Sequence, residues 1–134
     1  MDKGYEEFFG DLCYLYTRRD RPLPASIVEG DSEQLAHQLL ENLTEFLVVS
    51  PRVFGPQRAA YAITHSYGLG VASRSLGQIG EDTCMRKADG TAIGRERVRQ
   101  LRNKGMRHLR SESSMGLATI LTPDEAAVFP NLEK

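Results

Sequence analysis

The chain has 134 residues, 40% hydrophobic and 26% charged, with a formal net charge of −1 and a pI near 6.3. That length suits one domain, or one small domain with an appended helical region, and the ordinary apolar content excludes a disordered chain. No apolar run approaches the roughly 18 residues of a membrane helix, and the opening MDKGYEEFFGD, acidic and aromatic, is the opposite of a secretory signal, so a cytoplasmic protein without a membrane partner is expected.

In chain order, residues 3–19 place Tyr5, Phe8, Leu12 and Tyr16 at spacings of 3 and 4, one face of an aromatic helix docked on its own core. Pro22, Pro24 and Gly30 then break the pattern, and residues 20–30 read as a linker. A second helix follows, capped by Asp31 or Ser32, with an apolar stripe of Leu35, Leu39, Leu43, Phe46 and Leu47. Ser50-Pro51 and Gly55-Pro56 mark a turn. Pro56 suits the first position of a helix that buries Ala59, Ala60, Ile63 and Tyr67 and stops at Gly68.

Residues 69–74 read as a loop, and Ser75 caps a short helix with Leu76 and Ile79 on its apolar side. Residues 82–93 admit two readings: the short helix extends through Lys87, or the chain turns, as Asp89-Gly90 suggests. A basic helix runs from about Arg95 to Arg110, a polar break SESSMG follows, and Thr122-Pro123-Asp124-Glu125 forms a capping box opening a helix at 123–129. No stretch alternates with period two, so the fold class is all-α. Three regions result: an acidic N-terminal helical region at 1–49, a helical domain at 50–110, and a C-terminal tail with one short helix at 111–134.

Charge is unevenly distributed. Residues 1–49 carry ten acids against four basic groups, whereas residues 91–110 carry seven basic groups against Glu96 alone. Within the basic helix Val98, Leu101 and Leu109, helped by Met106, form one narrow apolar stripe. Such a helix packs on a small core and offers a cationic face to a phosphate backbone. Short helix, turn and basic helix are the outline of a helix-turn-helix. Its second helix needs long polar side chains at the N-terminal end to reach base edges, and basic flanks for phosphates. Arg95, Glu96, Arg99 and Gln100 meet the first demand, since Arg reads guanine bidentately and Glu accepts from cytosine N4. Arg97, Arg102, Lys104, Arg107 and Arg110 meet the second.

SLGQIGE (75–81) followed by RERVRQLRNKGMRHLR (95–110) resembles region 4 of the bacterial sigma-70 family. The likeness extends upstream through GPQRAAYAITHSYGL (55–69), with its closing Tyr-Gly-Leu, and covers roughly residues 50–110. It implies a domain that recognises the promoter −35 element in double-stranded DNA and docks on the β flap of bacterial RNA polymerase. It also implies base reading by Arg95, Glu96, Arg99 and Gln100, and DNA-backbone or activator contacts around Arg107. Two departures stand out. Fourteen residues, EDTCMRKADGTAIG, separate Ile-Gly from Arg-Glu-Arg where the family has about six, and the extra eight either lengthen the first helix by two turns or enlarge the turn. Gly105 stands where the family usually has alanine, a change that weakens an isolated helix by about 1 kcal/mol. Residues 1–49 do not resemble the sigma region that melts the −10 element.

These readings point to a DNA-binding transcription regulator of bacterial or phage origin. The alternative is a sigma-mimicking polymerase-binding protein (an antiterminator, an anti-sigma factor or a phage-encoded inhibitor) that docks on protein instead of DNA. An enzyme is not expected, because no catalytic constellation appears. His37, His65 and His108 lack metal-ligand spacing with one another or with Cys13 and Cys84, and Gly68, Gly70 and Gly77 make no phosphate-binding fingerprint, so no metal or cofactor is expected. The two cysteines, 71 positions apart, read as reduced thiols.

Overall fold

A computed structural model of the chain describes residues 2–17, 23–48, 56–82, 85–87, 89–110 and 116–127. Among these residues the protein is all-helical, with no strand. The helices are α1 (Lys3–Thr17), α2 (Ala25–Val28), α3 (Ser32–Val48), α4 (Pro56–Tyr67), α5 (Leu76–Gly80), α6 (Arg95–Arg110) and α7 (Pro123–Ala127), with a 3-10 turn at Leu117–Ile120. The side chains of Tyr16, Phe46, Leu47 and Arg110 lie outside what is described, as do Pro22, the 50–55 turn, Cys84, most of the SESSMG break and the expected helix end at 128–129.

The larger core forms where the stripes of four helices meet. Tyr5, Phe8, Phe9, Leu12 and Cys13 of α1 pack with Ala36, Leu39 and Leu43 of α3, Ala59 and Ile63 of α4, and Met106 and Leu109 of α6. Phe8 sets its ring edge-to-face against Phe9 at 5.0 Å and Tyr67 at 5.6 Å, a geometry that favours aromatic pairs beyond their area. Burial of each large side chain stabilises the fold by about 1.5–3 kcal/mol. Ile27, Leu69 and Leu117 complete this core, which therefore draws on both ends of the chain. A smaller core gathers Ala62, Ile79, Met85, Ile93, Val98 and Leu101. Helix α6 belongs to both: Val98 and Leu101 enter the smaller core, Met106 and Leu109 the larger.

Local chemistry accounts for the helix ends. Asp31, not Ser32, caps α3, its Oδ1 accepting from the Gln34 amide at 3.2 Å. Gly68 takes a φ of +76° beyond α4, and the Leu69 amide returns to the Thr64 carbonyl at 2.9 Å, a Schellman-type closure that also buries Leu69. Ser75 and Gln78 form a reciprocal capping box on α5, and Thr122 and Glu125 do the same on α7.

The proline-bounded stretch 20–30 is not only a linker. Pro24 stands at the N-cap of α2 and Ile27 is fully buried. Proline is barred from helix interiors but not from their starts, and four residues are too few to show a period. The Glu125 carboxylate of α7 accepts from the Ser26 amide at 3.0 Å and the Ser26 hydroxyl at 2.5 Å, joining α2 to α7.

Gly105 has a tertiary reason. A Cβ there would stand 2.9 Å from Ile63 Cδ1, 3.3 Å from Ala59 Cβ and 3.4 Å from Leu43 Cδ2. Helix α6 approaches α3 and α4 through the space a side chain would fill, so the lost helix propensity is offset by close packing.

Candidate nucleic-acid interface

The 81–93 segment decides how α6 is presented. Helix α5 stops at Gly80 and does not extend through Lys87. The residues between α5 and α6 form a wide turn, not a longer helix, and the two ends of that turn stay together. The Ile93 amide donates to the Gly80 carbonyl at 3.2 Å, so the chain leaves and returns at one point. Ile93 and Met85 are buried in the smaller core beneath this corner. Gly80 permits the contact, because a Cβ there would collide with the Ile93 carbonyl oxygen and stand 3.3 Å from Val98 Cγ2.

The excursion between those ends is held from several sides. Arg86 donates to the Glu81 carbonyl at 3.0 Å and the Gly90 carbonyl at 2.9 Å. Arg58 of α4 donates to the Arg86 carbonyl at 2.7 Å. At the tip, the Lys87 amide reaches the Thr91 carbonyl and the Gly90 amide the Lys87 carbonyl, both at 2.9 Å, with Gly90 at a φ of +88°. Asp89 accepts from the Thr91 amide and hydroxyl, which holds its carboxyl below the usual range.

A second set of contacts ties the start of the loop to α4. Asp82 accepts from Arg74 at 2.5 and 2.7 Å and from the Tyr61 hydroxyl at 2.5 Å. The Arg74 hydrogen bonds, with help from Tyr61, hold the Asp82 carboxyl well below the usual carboxylate range. Beside it His65 lies on the Tyr61 ring at 4.1 Å with Nδ1 buried and unbonded, and burial first, Arg74 second, push its pKa down. The sequence showed nothing of the Arg74–Asp82–Tyr61 set, because its members are spread over 22 positions with no motif.

On α6 the buried and exposed sides separate cleanly. Val98, Leu101, Gly105, Met106 and Leu109 are buried, whereas Arg95, Glu96, Arg97, Arg99, Gln100 and Arg107 are exposed. Arg97, Arg99, Gln100, Asn103, Lys104 and Arg107 line one shallow open groove of about 280 Å³. Asn103 is a further candidate at its centre. Its spacing of 3 and 4 from Gln100 and Arg99 was a signal in the sequence, masked by the more numerous arginines.

The candidates do not all stand alike. Glu96 and Arg99 form a bidentate ion pair across one helical turn. That hydrogen bond is the main reason the Glu96 carboxyl sits low, with further help from Gln100 and the charges of Arg99 and Arg95. Glu96 thus links the four residues expected to read bases. Arg102 is half-buried, its guanidinium 5.9 Å from the Tyr67 ring centre, so it contributes packing as well as charge. Arg95 stands at the helix start, outside the groove.

Burial holds the Cys13 thiol up to about 12, which makes it an inert core residue. Among the described residues no group of His, Cys, Asp or Glu could hold a metal ion, and no helix is long and apolar enough to cross a membrane. Compared with known proteins, the chain matches no family model, no curated protein and no solved structure.

Proposed function

We propose that this protein is a DNA-binding transcription regulator whose α5–α6 pair acts as a sigma-region-4-like helix-turn-helix. In this reading α6 enters the major groove of a −35-like promoter element, with bacterial RNA polymerase as its protein partner through the β flap. Arg95, Glu96, Arg99 and Gln100 read base edges, and Arg97, Arg102, Lys104, Arg107 and Arg110 hold phosphates. One observation carries it: a sixteen-residue helix buries a narrow apolar stripe on one side and turns six polar or cationic side chains into a single groove on the other. Phosphate neutralisation by such a face releases counterions, so affinity falls steeply as salt rises. The test is a salt titration of binding to labelled 30-bp duplexes selected from a random pool. A flat salt dependence would sink the reading.

A second reading, docking on RNA polymerase in place of DNA, draws on a different observation. The acidic helices α1 and α3 share one core with α6 and do not stand apart from it. A pull-down of purified bacterial RNA polymerase that survives Arg95→Ala and Arg99→Ala would favour protein docking over DNA reading.

A further inference from the structure

We infer that a cleft between α1, α3 and the chain that follows α4 binds an arginine side chain presented by a partner peptide, with the Asp31 and Glu33 carboxylates and the Tyr5 hydroxyl as its acceptors. This site lies apart from the cationic face of α6 and holds whether or not α6 reads DNA.

The cleft measures about 710 Å³, inside the roughly 300–1,000 Å³ of ligand clefts. Its floor is apolar, with Ala36 and Leu69 buried and Leu40 half-buried. Asp31 and Glu33 stand exposed at its edge, and no lysine or arginine lines it among the described residues. The imidazole of His37, also at the edge, is paired with Glu41 at 3.3 Å. Asp31 gives Oδ1 to the cap of α3, and neither it nor Glu33 has an ion pair among the described residues. The N-terminal end of α3 carries about half a positive charge, which two full carboxylates outweigh.

Acids alone would mark only a solvated edge, and Tyr5 points further. Its side chain is 6% exposed, yet its hydroxyl makes no hydrogen bond among the described residues. A buried tyrosine hydroxyl ordinarily has a partner. This one lies beside Gly70, an exposed residue of the cleft wall, 3.4 Å from where a Cβ would stand, so the unmet group opens into the cleft. Burial first, then the carboxylates of Glu33, Asp2 and Asp31, push its pKa up, the mark of a negative field at an unbonded oxygen.

Oxygens set in a negative field accept from a cation. Arginine fits better than lysine, because its planar guanidinium spreads five donors over several acceptors while its stem packs on an apolar floor. A cleft of this volume takes such a side chain together with neighbouring main chain, which suits a peptide segment. Residues 1–49 carry ten acids against four basic groups, so a basic segment is drawn to this side of the molecule.

The test is fluorescence anisotropy of the full chain with a labelled peptide of two arginines among glycines and serines, and with the same peptide carrying citrulline in place of arginine. The arginine peptide should bind, less tightly as salt rises. The citrulline peptide, equal in shape but uncharged, should bind at least about tenfold more weakly. Tyr5→Phe keeps the ring in the core and should weaken the arginine peptide about tenfold. Glu33→Gln should weaken it about two- to fivefold. Glu7→Gln, an equal charge change at an exposed site of α1 outside the cleft, should match the unaltered protein. Should Tyr5→Phe fold poorly, Glu33→Gln and Asp31→Asn decide, since asparagine keeps the helix cap and removes the charge. Equal binding of the two peptides, no binding at millimolar peptide, or affinity unchanged by the cleft variants overturns the inference.

Discussion

Gly80 and Ile93 are joined main chain to main chain, at 3.2 Å between the Ile93 nitrogen and the Gly80 oxygen. That single contact holds the end of α5 beside the residues that lead into α6. A loop whose ends already touch adds little to the entropy of bringing the two helices together, since closure cost rises only slowly with length.

The contact makes Gly80 sensitive in a way its helical position hides. Alanine would gain up to about 1 kcal/mol in propensity there, but its methyl group meets the Ile93 carbonyl, which is backbone and cannot rotate away. Gly80→Ala is expected to lose about 1–3 kcal/mol net, read as a lower Tm. Gly77→Ala in the same helix is the control, because nothing lies within 4 Å of its Cβ position, and it should raise Tm. Parallel rises for both variants would remove Gly80 from its proposed role.

Gly105 offers a graded test of the α6 crossing. Its Cβ position is 2.9 Å from the end of the Ile63 side chain. Gly105→Ala should therefore stay within about 1 kcal/mol of the unaltered protein, propensity offsetting a small displacement. Gly105→Leu overfills the site and should cost about 1–3 kcal/mol or more. Ile63→Val removes the crowding atom, so Gly105→Ala should be better tolerated in that background. A double-mutant cycle with no coupling would place the two residues out of contact.

Acid should unfasten α7 from α2. Hydrogen bonds from Ser26, then from Thr122, hold the Glu125 carboxyl down at about 2 in the folded chain, against 4.5 for a free glutamate. A depressed folded value means that the unfolded chain binds the proton first as pH falls. The contribution is complete above the unfolded value and disappears as pH drops from there through about 2. Asp82 acts in the same direction through Arg74 and Tyr61. Denaturant unfolding across this acid range should show a shallower pH dependence for Glu125→Gln than for the unaltered chain; identical slopes would show that Ser26 does not hold Glu125 in solution.

On DNA, the ion pair between Glu96 and Arg99 separates two kinds of contact. Arg99→Ala should lose about 1–3 kcal/mol of discrimination between a selected site and random duplex. Arg107→Ala should weaken both equally and reduce the salt slope by about 0.9. Glu96→Gln releases Arg99 and removes the one acid of the helix, so binding to random duplex should tighten while the advantage of the selected site shrinks. Competition binding reads all three; an unchanged site preference in Glu96→Gln would leave the ion pair without a role in reading.

Much of the helical framework could be read from residue order. The stripe of Val98, Leu101, Met106 and Leu109 follows from helical periodicity, and the caps at Ser75 and Thr122 and the stop at Gly68 follow from short-range hydrogen bonding. The charged groove on α6 was legible for the same reason, although Asn103 escaped notice among the arginines. Helix α2 escaped because four residues carry no period, and Met85 because one buried methionine in a polar loop looks like any other.

Near-neighbour chemistry was thus enough to specify which segments are helices and which side of α6 is cationic, since both depend on residues within a turn or two of each other. It could not choose between a longer α5 and a wider turn. That choice rests on the Gly80–Ile93 hydrogen bond, on Met85 and Ile93 entering a core shared with Ala62 and Leu101, and on Arg58 reaching across from α4. Those groups are distant along the chain, and only their packing together brings the two ends of the loop to one point.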